Sequence, residues 1–70
     1  MKFVDFLEVC HKDCVLNVVV ILNHLKFTSR YSAQYFSDTL ADDLDGKHIL
    51  LNAIVDTVHT SNGELFVYVS

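Results

Sequence analysis

Cys10-His11-Lys12-Asp13-Cys14 sets two thiols four residues apart around a histidine. On a continuous helix that spacing puts both thiols on one face, where they could hold a metal ion or support nucleophilic chemistry. Zinc, however, takes four ligands, usually with a second matching cluster. The other histidines, His24, His48 and His59, are scattered along the chain. A cysteine nucleophile would also need a base, an orienting group and an oxyanion pocket. A chain of 70 residues with a filled core leaves little room for that pocket. The bland reading therefore takes precedence: Cys10 packs on a helix stripe and Cys14 opens a strand as a small hydrophobe. A small metal-binding module built on Cys10 and Cys14 stays as an alternative, and no cofactor and no enzymatic activity are expected.

The acidic stretch DTLADDLDG, residues 38–46, invites a calcium reading, which fails on its own terms. A calcium loop with its glycine at Gly46 would need an oxygen ligand at Ala41 and a glutamate where Asn52 stands. The chain's two glycines, Gly46 and Gly63, are absorbed by a helix end and a turn, so no glycine-rich phosphate cradle remains. What is left is an acidic helix face of Asp38, Asp42, Asp43 and Asp45, usually just a solvated surface. Its sharper reading is a lure for a basic groove, in which carboxylates compete with nucleic acid for a partner's Lys and Arg side chains.

These groups must be positioned by elements that the hydrophobic pattern defines. Phe3, Phe6, Leu7 and Cys10 fall on one helical stripe, predicting a first helix of about two turns. Residues 14–22, CVLNVVVIL, are β-branched and suit a strand. Asn23-His24 offers a tight turn, after which Leu25, Phe27, Ser29 and Tyr31 alternate with Lys26, Thr28 and Arg30. That turn would oppose Leu22 to Leu25, Val20 to Phe27 and Leu16 to Tyr31. Ala33, Phe36, Leu40 and Leu44 recur at helical spacing over 32–46, with Ser32 or Ser37 as N-cap and Gly46 at the end. The tail, from Lys47 onward, reads as a long strand over 48–58 and a last strand, joined at Asn62-Gly63, a strong hairpin signal. The expectation is a single α+β domain over 1–70, ordered α-β-β-α-β-β, with a four-stranded antiparallel sheet and two short helices.

Counting faces in the second hairpin gives a surplus of apolar surface. Ile49, Leu51, Ala53, Val55, Phe66 and Tyr68 share one face with Thr57 and His59; Leu50, Ile54, Val58, Leu65, Val67 and Val69 share the other with Asn52 and Asp56. Two short helices cover about one face of such a sheet, whereas a one-sided sheet should alternate with polar residues. Leaving four or five large side chains in water forgoes about 1.5–3 kcal/mol each, a large loss against a total stability of about 5–15 kcal/mol. The sheet side bearing Phe66 and Tyr68 is therefore expected to pack on a target protein or a second copy. A bulge in the 48–58 strand, with helices on both sides, is the alternative.

Composition bounds the partners. The chain is 51% hydrophobic and 20% charged, which excludes disorder as the main reading. Nine acidic against five basic side chains, a net charge of −4, disfavour direct binding to nucleic acid. The run Cys14 to Leu22 is too short for a membrane span of roughly 20 residues, and Asp5, Glu8, His11, Lys12 and Asp13 interrupt any signal-peptide core. With only two cysteines, a cytoplasmic protein is the expectation.

In layout the chain resembles a loose class of short proteins encoded by bacteriophages and mobile elements, through its opening VDFLEVC, its middle SDTLADDLDGKHIL and its ending NGELFVYVS. The resemblance spans most of the chain and rests on no invariant motif. It implies an inhibitor of host defence, anti-CRISPR proteins being examples, that acts in the host cytoplasm by binding a nucleic-acid-handling host protein. No functional residue carries over from it. The expected contacts are the Asp38, Asp42, Asp43 and Asp45 group and the Phe66 and Tyr68 sheet side, with a structural homodimer as the competing reading.

Overall fold

Asn23 and His24 both take positive φ, 50° and 67°, as a two-residue type I′ turn requires. The turn joins β1 (Val15–Leu22) to β2 (Leu25–Ser32) in the expected register, with Leu22 opposite Leu25, Val20 opposite Phe27 and Leu16 opposite Tyr31. Asn62 and Gly63, at φ 53° and 79°, do the same for β3 (Val55–Ser61) and β4 (Glu64–Val69). The computed structural model describes all 70 residues, Met1 to Ser70. Two helices complete it, α1 (Phe3–Val9) and α2 (Ala33–Ala41), with a one-turn 3-10 helix at Ile49–Asn52. This is the α+β arrangement in the order α-β-β-α-β-β.

The sheet is mixed rather than wholly antiparallel. Its order is β2-β1-β4-β3, and β1 runs parallel to β4, with Leu16, Val18 and Val20 opposite Leu65, Val67 and Val69. The physical reason is burial: β1 and β4 are the most apolar strands and take the two central places, leaving the more polar β2 and β3 at the edges. Each hairpin stays antiparallel, and the two join with β1 and β4 running in the same direction.

Two other expectations are corrected. The second helix stops at Ala41, not near Gly46. Three aspartates at its end oppose the negative pole of the helix, and the Asp43 carboxylate accepts the His48 backbone N–H at 2.7 Å, which turns the chain away. Leu44, at helical spacing for the core, is left 95% exposed. The N-terminal expectation holds at Ser32, whose hydroxyl accepts from Tyr35 N–H.

The strand expected over 48–58 begins only at Val55. Residues 49–52 instead wind into the 3-10 turn, capped where His48 Nδ1 accepts from Leu50 N–H. The next residues are held by both ends of the chain. Phe3 N–H donates to the Ala53 carbonyl, Val55 N–H to the Met1 carbonyl, and Ile54 exchanges both backbone bonds with Ser70. A bulge between Val55 and Thr57 then sets Val55 opposite Val69. Val55 thereby leaves the Phe66 face, to which strict alternation assigns it.

One core results. Phe3 and Leu7 of α1, Ala33, Phe36 and Leu40 of α2, and Leu50 and Ala53 pack on Leu16, Val18, Val67 and Val69 of the central strands. The Phe3 and Phe36 rings meet edge to face at 5.7 Å. All the helical elements thus share one side of the sheet, and the opposite side carries none. No helix is long and apolar enough to cross a membrane.

Candidate protein-binding face

The ladder positions turned away from the helices are Val15, Asn17, Val19 and Ile21 of β1, Lys26, Thr28 and Arg30 of β2, Glu64, Phe66 and Tyr68 of β4, and Thr57, His59 and Ser61 of β3. Ile49, Leu51, Ala53 and Val55 are absent from this set. The apolar surplus is therefore smaller than the sequence suggests, and part of it is roofed by the face's own polar side chains.

Two side-chain structures organise this face. The first is a clasp across β2, β1 and β4. Arg30 donates from Nε to Glu64 Oε1 at 2.8 Å and from Nη2 to Oε2 at 2.6 Å, a two-pronged pair. The buried Asn17 amide lies under it, donating to Glu64 Oε1 at 2.9 Å and to the Leu65 carbonyl at 3.3 Å. The Arg30 and Asn17 hydrogen bonds hold the Glu64 carboxyl well below its ordinary range, at about 2, and Glu64 in turn raises the Arg30 guanidinium further.

A lowered carboxyl means the folded chain binds that proton less tightly than the unfolded chain. Its stabilising effect is present above the ordinary carboxylate value and disappears as pH falls toward about 2. Glu64→Gln is therefore expected to flatten the decline in stability between about pH 4.5 and 2, read from urea midpoints at a series of pH values. A slope identical to the wild type would show that the clasp is not formed in solution.

The second structure is an aromatic platform. His59 lies flat on Phe66, with ring centroids 5.1 Å apart and planes 3° from parallel, and also stacks against Tyr68 at 5.6 Å. Lys26 reaches across from β2 to place its ammonium 5.8 Å from the Tyr68 ring centroid. Phe66 and Tyr68 are half-buried. The result is a stacked aromatic cluster with one cation at its margin.

The acidic residues fall elsewhere and do not form a helix face. Asp38 lies on α2, where it accepts from Gln34 at 2.7 Å, and Asp42 is the C-cap residue. Asp43 turns inward to His48, and Asp45 sits in the following turn. Asp38, Asp42 and Asp45 are exposed, and no Lys or Arg pairs with them.

Cys10 ends α1 and Cys14 precedes β1, both half-buried against the core. Burial, and to a lesser degree the neighbouring Cys14, push the Cys10 thiol up, away from the thiolate that a nucleophile or metal ligand requires. No three His, Cys, Asp or Glu side chains converge as a metal site would require.

No family model, no curated protein and no solved structure matches this chain. The site must be read from its own geometry. The role of His59 escaped the pattern reading although its signal was there: counting back from Asn62-Gly63 sets His59 opposite Phe66. Glu64 and Arg30 carried no such signal, because they meet only through the parallel pairing of β1 with β4.

Proposed function

We propose that this chain is a small non-catalytic protein-binding protein whose helix-free sheet face seats a partner on the His59, Phe66 and Tyr68 platform. The stacked platform carries this reading. Aromatic side chains already ordered by their neighbours supply contact area at little entropic cost, which is why Tyr and Trp dominate binding hot spots. Base stacking is the other common use of a sheet aromatic. It draws on clustered cations, however, and here Arg30 is engaged by Glu64 while Lys26 stands alone at the margin. A protein surface with an apolar anchor and a carboxylate placed for Lys26 fits better.

A second contact is supported by the exposed, unpaired Asp38, Asp42 and Asp45, which would meet a basic groove. Inhibition of a host nucleic-acid-handling complex, the role that the phage resemblance implies, would use this side. Charge reversal there should weaken binding in a salt-dependent way.

The test is affinity capture with three folded proteins: wild type, a His59→Ser and Tyr68→Thr double variant, and an Asp38→Lys, Asp42→Lys, Asp45→Lys triple variant. Loss of the platform should weaken the captured partner's affinity by about 30-fold or more, the size of a hot-spot truncation. Equal capture by wild type and the double variant would remove the platform from the reading. Equal capture by the triple variant would remove the acidic contact.

A further inference from the structure

The two edges of the sheet are finished differently. At β3 the outer side is obstructed where the strand begins: Met1 to Phe3 pair with residues 53–55, and the Val55/Thr57 bulge with Asp56 breaks the ladder just beyond them. These are devices that keep an edge from pairing. β2 has no bulge and no covering segment, and its two charged side chains are drawn over the open face of the sheet, Lys26 to Tyr68 and Arg30 to Glu64. Its eight residues pair with β1 without a break and contain neither proline nor glycine. Because the ladder closes on Leu22 and Leu25, its alternation turns the peptide groups of Lys26, Thr28 and Arg30 outward, away from β1.

On the helix side this hairpin is covered at one end only. α2 departs from Ser32, and Tyr35 stacks on Tyr31 with centroids 4.0 Å apart. At the far end Leu25 is 61% and Phe27 55% exposed, beside an apolar groove of about 230 Å³ walled by Val20, Leu22, Phe27 and Ile49.

We propose that a second copy of this chain occupies that edge, pairing its β2 antiparallel to the first about a two-fold axis and extending the sheet to eight strands. Antiparallel pairing places the aromatic, helix-covered end of one hairpin beside the bare end of the other, reciprocally, as a two-fold contact requires. Charge selects the register. An axis at Thr28 would oppose Lys26 to Arg30 of the second copy, a like-charge pair. An axis at Ser29 instead opposes Phe27 to Tyr31, Thr28 to Arg30 and Lys26 to Ser32 of the second copy.

The area is adequate. Phe27, Tyr31 and Tyr35, each about half exposed, offer roughly 100 Å² apiece. With Leu25 and the strand backbone the contact reaches roughly 600–800 Å² per copy, the lower end of stable interfaces. The contact uses the β2 edge and the helix side, so it stands whether or not the platform binds a partner; both platforms would lie on one side of the extended sheet.

Light scattering on a sizing column under reducing conditions, over a wide concentration range, should give about 16 kDa, twice the 8.0 kDa chain. Thr28→Pro removes an outward N–H, and Phe27→Lys replaces an exposed ring; each should yield an 8.0 kDa monomer with an unchanged circular dichroism spectrum. Ser29→Cys, with Cys10 and Cys14 replaced by alanine, should cross-link to a dimer on oxidation, because residues on the axis approach within disulfide reach. A monomer at every concentration, or a dimer indifferent to both substitutions, would overturn the pairing. A dimer that Ser29→Cys cannot cross-link would overturn the register.

Discussion

Replacing Phe3 with alanine is expected to cost about 3–5 kcal/mol, a large share of a total stability of about 5–15 kcal/mol. The ring is fully buried, meets Phe36 edge to face, and sits on the residue whose N–H binds Ala53. Its loss would open a cavity where α1, α2 and the 53–55 segment converge. Neither hairpin could collapse into that space without shifting the central strands. Urea unfolding followed by circular dichroism should show a much lower midpoint with an unchanged slope. A loss under about 1 kcal/mol would mean that the N-terminal residues are not seated on the segment before β3.

The second large effect separates two neighbours of similar chemistry. Leu50→Ala should cost about 2–5 kcal/mol, whereas Ile49→Ala should stay within about 0.5 kcal/mol of wild type. Leu50 is buried against the core from the inner side of the 3-10 turn, while Ile49 stands 52% exposed on its outer side. If the strand expected over 48–58 ran through the apolar ILLNAIV, residues 49–55, with both faces covered, the two substitutions would cost similar amounts. Equal losses in the same unfolding assay would therefore restore the strand.

What the pattern of residues revealed, and what it hid, divides along sequence distance. Both hairpins were legible because Asn23-His24 and Asn62-Gly63 fix a local register, and so was the Phe3, Phe6, Leu7, Cys10 stripe. The helix end near Ala41 was hidden by Leu44, which keeps the right spacing while the aspartates and the Asp43 to His48 bond end the helix before it. The 3-10 turn was hidden because ILLNAIV suits a strand, and only the N-terminal residues arriving at 53–55 show that its backbone is otherwise engaged. The parallel step between β1 and β4 has no local signature. For the same reason Phe66 and Tyr68 could be assigned to a shared face from the sequence, while the Arg30, Glu64 and Asn17 clasp could not.

That parallel step also governs how the chain can fold. Leu16 meets Leu65 across 49 intervening steps of sequence, so the middle of the sheet exists only after a long loop has closed. Each hairpin can form on its own within about 1–10 μs, yet an isolated two-stranded hairpin is marginal in water. Closing the loop costs entropy before any central contact repays it. Pairing of β1 with β4 is therefore expected to limit the rate, and the chain to fold more slowly than a helical domain of equal length. Until that moment β1 and β4 each present an unpaired apolar edge, so the interval before pairing is when the chain is most exposed to aggregation.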